Sequence, residues 1–215
     1  MTELMVRARG RGEWDDWKLG DSIIVCSALA HIADDITLYV RNPNANGIKL
    51  IQDLSEQVYS DKYKLTVKKG TGGEVIYPDQ YMLDNNVDVI RYNHSLPTKD
   101  YVVIQPTSKD STRSVKLTNK LKEKYIQSNE IIDFDKAAVE YKNQFKKIFD
   151  IVSQAKRVVC CVSGFSLVSA SCQKECIVLA NNGWLKARRS NGAKFEKDFA
   201  FMIADNDVNT QVVGV

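Results

Sequence analysis

Three widely spaced stretches of this 215-residue chain carry side chains that could do chemistry. The first is Trp17-Lys18-Leu19-Gly20-Asp21-Ser22, where a helix is expected to open. Asp21 there could cap the helix. Turned outward, it could instead draw a proton from an acceptor hydroxyl as a general base. Glu13, Asp15 and Asp16 lie just upstream, and crowding of like charges is one way a protein tunes such a base. The second stretch, Val103 to Arg113, sets Thr107, Ser108, Lys109, Ser111, Thr112 and Arg113 in one polar loop after an apolar run. Hydroxyls, an ammonium and a guanidinium at the end of a buried parallel strand make a diphosphate cradle; a solvated connecting loop would have the same composition. The third, Val162 to Ser171, places Ser163, Gly164, Phe165 and Ser166 between an apolar strand and a helix. Small residues there let backbone amides approach a phosphate, and Ser163 or Ser166 could equally be ordinary helix caps.

The elements that must position these residues follow from periodicity. Strands are expected at Leu4 to Ala8, Ile36 to Val40, Leu65 to Val67, Val75 to Tyr77 and Val87 to Ile90. Helices are expected at Ser22 to Ala33 and Asn46 to Tyr59. After Pro97 a second series runs through a strand Tyr101 to Gln105, a helix Val115 to Tyr125, a strand Ile131 to Phe134 and a long helix Lys136 to Gln154. A strand Arg157 to Val162, a helix Phe165 to Gln173, a strand Cys176 to Ala180 and a closing helix Phe195 to Ile203 complete it. Strands alternating with helices predict an α/β fold with parallel sheets. Two Rossmann-like lobes are expected, residues 1–97 and 98–215, with a cleft between them. Gly70-Thr71-Gly72-Gly73 reads as a hairpin turn or simple connection, or as a mobile loop beside an acceptor.

Composition narrows the classes. Lys+Arg of 30 against Asp+Glu of 27 gives a net charge of +3, too small to imply nucleic acid by itself. The charge is nonetheless clustered, at Arg7, Arg9 and Arg11 and again at Lys186, Arg188, Arg189, Lys194 and Lys197. Such clusters are either solvated faces or phosphate contacts. Trp14 and Trp17 could stack on a base or sugar, or anchor their loop. No apolar run approaches the ~18 residues of a membrane span, and Met1 to Arg11 lacks the apolar core of a signal peptide, so a cytoplasmic location is expected. Five cysteines in such a setting are expected as reduced thiols. Cys172 and Cys176 have no second Cys/His pair to complete four zinc ligands, so no metal site is expected. The polar loop lacks the P-loop pattern, and Ser163 lies outside a G-x-S-x-G elbow.

Taken together, the three stretches resemble the heptosyltransferase family of bacterial lipopolysaccharide synthesis, which has the two-domain GT-B fold. Gly20-Asp21 matches that family's Gly-Asp at the start of its first helix. Thr107-Ser108-Lys109-Asp110-Ser111-Thr112-Arg113 looks like the Thr-rich, Lys/Arg-containing loop of its second domain. Val162-Ser163-Gly164-Phe165-Ser166-Leu167 stands where the family has Asp-(Ser/Thr)-Gly-x-x-His. Val162 replaces the acid and Leu167 the histidine, and the chain is much shorter than those enzymes, so the resemblance implies a trimmed relative with another donor and acceptor. The resemblance implies a nucleotide-diphosphate sugar as donor substrate, with no separate cofactor and no metal. It implies Asp21 as the base and transfer in one inverting displacement. Gly20, Thr107, Ser108, Lys109, Arg113, Ser163, Gly164, Phe165 and Ser166 would hold the donor. A base of this kind is worth roughly 10²–10⁴ in rate, and the cations would stabilise charge developing on the leaving diphosphate.

In size and charge the chain is similar to the bacteriophage enzymes that glycosylate hydroxymethylated DNA bases. That similarity implies double-stranded DNA as partner, held by Arg9, Arg11, Trp14, Trp17, Arg188 and Arg189, with the target base extracted from the stack. The compartment would then be the host cytoplasm. A saccharide or lipid-linked acceptor is the alternative, and a non-catalytic nucleotide-binding module is the reading from another class. The nucleotide, the sugar and the oligomeric state are not legible in the sequence.

Overall fold

The computed structural model describes residues 1–7, 18–93, 96–108, 113–128, 130–182 and 208–215. By its internal packing the chain divides into Met1–Ile90 and Arg91–Val215. Both units are α/β, each on a parallel sheet.

The first unit runs β1 (Thr2–Val6), α1 (Leu19–Ile32), β2 (Asp35–Val40), α2 (Asn46–Gln57), β3 (Lys64–Lys69), β4 (Glu74–Ile76) and α3 (Pro78–Asp84). Its strands lie in the order β3-β2-β1-β4. Leu4 pairs with Leu38 on one side and Glu74 on the other. Alternation along β1 and β2 then puts Leu4, Val6, Ile36, Leu38 and Val40 on one face, all buried. Helix α1 packs against both α2 and α3 and is buried from Ser22 to Leu29, which is why its sequence is apolar on every side. Helix α2 buries Ile48, Ile51 and Leu54 at helical spacing.

The glycine run is no hairpin. β3 and β4 stand at opposite edges of the sheet, and every strand pair in it is parallel. The four residues Gly70 to Gly73 therefore cross the sheet. Gly72 lies against the Tyr39 ring, and a Cβ on Gly73 would sit 2.3 Å from the Glu3 carbonyl, at a φ of +75°. Only glycine allows that approach and that backbone angle.

Val87 to Ile90 forms no strand. The Ile90 N–H donates to Ser27 Oγ at 3.0 Å, so a helix side chain takes the donor that a sheet neighbour would need. Helix α3, absent from the sequence reading, begins at Pro78, where a fixed φ and a missing N–H suit a first helical turn. Two residues on, the Tyr92 N–H donates to the Ser171 carbonyl and its hydroxyl to Asp150 Oδ1 at 2.5 Å. Its ring also packs edge-on to Phe149. The change of unit thus falls at Arg91, ahead of Pro97.

The second unit runs β5 (Tyr101–Gln105), α4 (Asn119–Tyr125), β6 (Glu130–Asp133), α5 (Phe134–Glu140), α6 (Phe145–Gln154), β7 (Arg157–Cys161), α7 (Phe165–Ser171), β8 (Cys176–Ala180) and β9 (Thr210–Gly214). The strand order is β6-β5-β7-β8-β9, parallel throughout. Every residue of β8 is buried, the pattern of a parallel strand covered on both faces. Val102, Tyr125, Ile126, Val159, Ile177 and Leu179 form one core cluster.

Two expectations are corrected here. The single helix Lys136 to Gln154 is two, α5 and α6, separated where Asn143 adopts a φ of +63°. A left-handed residue ends a helix, and Asp133 caps α5 by accepting from the N–H groups of Asp135 and Lys136. Helix α4 starts at Asn119 instead of Val115, because Thr118 Oγ1 caps it and the Val115 N–H is held by the Pro106 carbonyl. The edge strand β9 was not foreseen. The expected helix Phe195 to Ile203 lies outside the described residues.

Candidate functional site

In an open parallel sheet, ligands sit beyond the carboxyl ends of the strands where the strand order reverses. In the second unit that reversal lies between β5 and β7, because β6 is laid on one side of β5 and β7 on the other. Strand β5 runs out into Pro106, Thr107 and Ser108, and β7 into Val162, Ser163 and Gly164. The second and third stretches singled out in the sequence are therefore neighbours in space. Ser163 Oγ lies 2.5 Å from Gln105 Oε1.

A fourth group joins them. Asp135, in the first turn of α5 past the end of β6, accepts from Gln105 Nε2 at 3.4 Å and from the Thr107 hydroxyl. A carboxylate at neutral pH only accepts. It therefore orients the Gln105 amide with nitrogen toward itself and oxygen toward Ser163. The Ser163 hydroxyl donates to that oxygen and in turn accepts from the Phe165 N–H at 3.2 Å. One carboxylate sets the polarity of the whole chain Ser163–Gln105–Asp135–Thr107.

The described residues on either side of the polar loop are tied together. The Ser108 N–H donates to Ser114 Oγ at 2.9 Å, Ser114 Oγ donates to the Ser108 carbonyl, and Val115 N–H reaches the Pro106 carbonyl. Arg113 stands half-buried in this loop, and its charge is felt at the end of β7. The Cys161 thiol is pushed up to about 12, chiefly by burial and further by the Asp135 charge, while Arg113 acts in the opposite direction. Burial likewise raises Cys26 and Cys172. All five cysteines are buried free thiols, and protonated thiols at neutral pH are poor nucleophiles.

At α7 the small residues are partly committed. Phe165 is buried against Phe134, with ring centroids 3.8 Å apart. Ser166 is also buried; its hydroxyl and its N–H both donate to the Ser163 carbonyl. Gly164 is half-exposed, and no side chain there keeps a ligand from the backbone. Thr107 is exposed and Ser108 half-buried. Lys109 lies outside the described residues.

In the first unit the order reverses between β1 and β4, and α1 opens beyond the carboxyl end of β1. Gly20 is buried and Asp21 half-exposed. Asp21 Oδ2 accepts from the Lys18 N–H at 3.2 Å, reaching back one turn as the third residue of a capping box does. Its carboxylate near the helix start is also favoured by the helix dipole. Asp21 thus has a structural bond in the first turn of α1. Arg9, Arg11, Trp14, Trp17, Arg188 and Arg189 lie outside the described residues.

Sequence reasoning missed Asp135 and Gln105. An acid just past the second strand of a βαβ unit was the available signal, but its pairing with Thr107 depends on which strands are neighbours. Among the described residues no group of three or more His, Cys, Asp or Glu is placed to hold a metal ion. No described helix is long and apolar enough to cross a membrane.

No protein-family model matches the chain, and neither does any curated protein. Solved structures that align with it include two glycosyltransferases. One is the iron-containing dodecameric glycosyltransferase TibC from enterotoxigenic E. coli H10407, at 10% identity and a TM-score of 0.47, over 83% of this chain and 57% of that one. The other is dodecameric iron-containing heptosyltransferase TibC in complex with ADP-D-beta-D-heptose, at 11% identity and a TM-score of 0.45, over 84% and 58%. The chain thus spans little more than half the length of those proteins. Overlap at this level identifies neither family nor activity.

Proposed function

We propose that this chain is a glycosyltransferase that uses a nucleotide-diphosphate sugar and transfers the sugar, with inversion, to a hydroxyl acceptor. The observation that carries the reading is the convergence of two separate sequence stretches on one topological switch point, joined by the Ser163–Gln105 hydrogen bond. A switch point bearing hydroxyls, an acid and Arg113 is the kind of crevice that takes a nucleotide. On this reading the residues 98–215 hold the donor and the residues 1–97 the acceptor. Arg113, with Lys109, meets the diphosphate, and Thr107, Ser108, Ser163 and Gly164 line it. Gly20 lets the chain turn into α1, and Asp21 takes the proton of the attacking hydroxyl. The C–O bond to the leaving diphosphate breaks as the new C–O bond forms on the opposite face, so the anomeric configuration inverts.

The acceptor we infer is a hydroxymethylated pyrimidine in bacteriophage DNA. Only the sequence supports this part, through the clusters at Arg9 and Arg11 and at Arg188 and Arg189, with Trp14 and Trp17 beside the first. The experiment takes two steps. A thermal-shift screen of ADP, GDP, UDP and CDP and their common sugars identifies the donor, since a ligand that binds only the folded state raises the midpoint. Duplex DNA with and without hydroxymethylated pyrimidine is then offered with that donor. Transfer only to the modified duplex is expected. DNA binding should weaken with salt by ~0.9 log units per log unit for each phosphate neutralised. Transfer to a saccharide or lipid-linked acceptor instead moves the assignment to that class. Donor binding without transfer to any acceptor identifies a non-catalytic nucleotide-binding module.

A further inference from the structure

Each of the two sheets ends in two edge strands, and an edge strand offers its outward backbone groups to any strand that can lie beside it. Three of the four edges carry features that oppose such pairing. β3 holds Lys64, Lys68 and Lys69, β4 is three residues long and starts with Glu74, and β6 holds Glu130 and Asp133. β9 has none of these features: Thr210-Gln211-Val212-Val213-Gly214 runs for five residues without a charge or a proline. Its ladder with β8 uses the backbone of alternate residues, including the bonds from the Cys176 N–H to the Asn209 carbonyl and from the Val215 N–H to the Ala180 carbonyl. That parity turns the N–H and C=O groups of Val212 and Gly214 away from β8, toward a side where no strand lies among the described residues. Apolar side chains accompany them. β8 is buried throughout, whereas Val212 and Val213 are half-buried and Val208, just ahead of the strand, is 96% exposed.

We propose that β9 joins two copies of this chain, paired antiparallel about a two-fold axis so that their second sheets continue into one. Charge decides the partner. The register that overlaps the whole strand sets Val212 opposite Val212, Thr210 opposite Gly214 and Gln211 opposite Val213. No charge then meets a like charge, and a β-branched pair sits on the axis. The same pairing is opposed at the other long edges: β3 against itself would set Lys64 opposite Lys69, and β6 against itself would set Glu130 opposite Asp133. A two-fold contact uses the same patch on both copies, so it closes at two and leaves no β9 edge to extend. The inference does not rest on the nucleotide-sugar reading, because β8 separates β9 from the strands that flank the switch point.

Sedimentation equilibrium on the full chain over a range of concentrations tests this. The mass should rise with concentration toward twice the 24.3 kDa of one chain. Val212→Lys and Val212→Glu should each sediment as a single chain, because each sets like charges opposite one another on the axis. Mixed in equal amounts, the two variants should recover the doubled mass, since lysine then faces glutamate. Circular dichroism identical to wild type shows that each variant is folded. A doubled mass in either variant alone overturns the proposal, because another surface then holds the copies together. Folded variants that remain single when mixed overturn it as well. Should the charged variants not fold, amide hydrogen exchange on the wild type reads the same contact. The N–H groups of Val212 and Gly214 should exchange slowly at the doubled mass and lose that protection on dilution to single chains. Fast exchange at both in the doubled species overturns the proposal, and so does a wild-type chain of single mass at every concentration.

Discussion

Ser163, at the end of β7, donates its hydroxyl to the side-chain oxygen of Gln105, at the end of β5, across a gap of 2.5 Å. The two residues are 58 positions apart in the chain. Their bond ties together the two strand ends that flank the reversal of strand order, and Asp135 sets its direction. The four expectations below follow from this site, from α1 and from the packing that supports them.

Arg113→Ala should weaken nucleotide binding by about 1.5–3 kcal/mol, the scale of a lost hydrogen bond to a charged group. The bonds between Ser108 and Ser114 and between Val115 and Pro106 do not use the Arg113 side chain and should persist. Calorimetric titration with the nucleotide that stabilises the wild type measures the change. Unaltered affinity would mean that Arg113 lies off the ligand's path.

Asp21→Asn should abolish transfer while donor affinity and unfolding midpoint stay close to wild type. The carboxylate's structural bond runs to the Lys18 N–H, and an asparagine oxygen can accept there as well. An amide cannot take a proton from the acceptor at neutral pH, so loss of transfer with an unchanged midpoint marks a catalytic role. Turnover at the wild-type rate in the variant would reduce Asp21 to its part in the capping box.

Gly73→Ala should cost about 1–3 kcal/mol of stability from the backbone conformation alone, with the clash against the Glu3 backbone adding to it. Gly72→Ala should cost less, because its new Cβ meets the edge of the Tyr39 ring at 3.2 Å and that ring can shift. Urea unfolding of both variants checks the order. Equal losses would show that the crossing tolerates side chains that the packing excludes.

Alkaline pH should destabilise the fold through its buried thiols. Cys161 titrates at about 12 when folded, against an ordinary value of 9.0. The folded chain keeps a proton that the unfolded chain loses. Its contribution is fully present below pH 9 and is lost as pH rises toward 12, because the proton count then favours the unfolded state. Cys161→Ala should flatten the decline of the unfolding midpoint above pH 9, and an unchanged slope would assign the decline to other groups.

The parallel α/β character and several elements were legible because they depend on local pattern. Tyr101–Gln105 and Cys176–Ala180 appear with the expected bounds, since an unbroken β-branched and apolar run has few alternatives to a buried strand. Other boundaries depended on capping: Asn143 divides a periodic stretch that reads as one helix, and Thr118 delays the start of another. Val87 to Ile90 had the composition of a strand, yet Ser27 in α1 claimed its N–H.

Strand order is decided by how crossovers pack on a sheet, and no periodicity records it. The chain alone therefore marked Thr107, Arg113 and Ser163 as candidates and assigned Asp21 its two possible duties. Only the tertiary structure brought Gln105 against Ser163, added Asp135 beside Thr107, and carried four glycine-rich residues across a sheet instead of around a hairpin. Hydrogen bonds between strand ends require neighbours in space, and those neighbours come from positions far apart in the sequence.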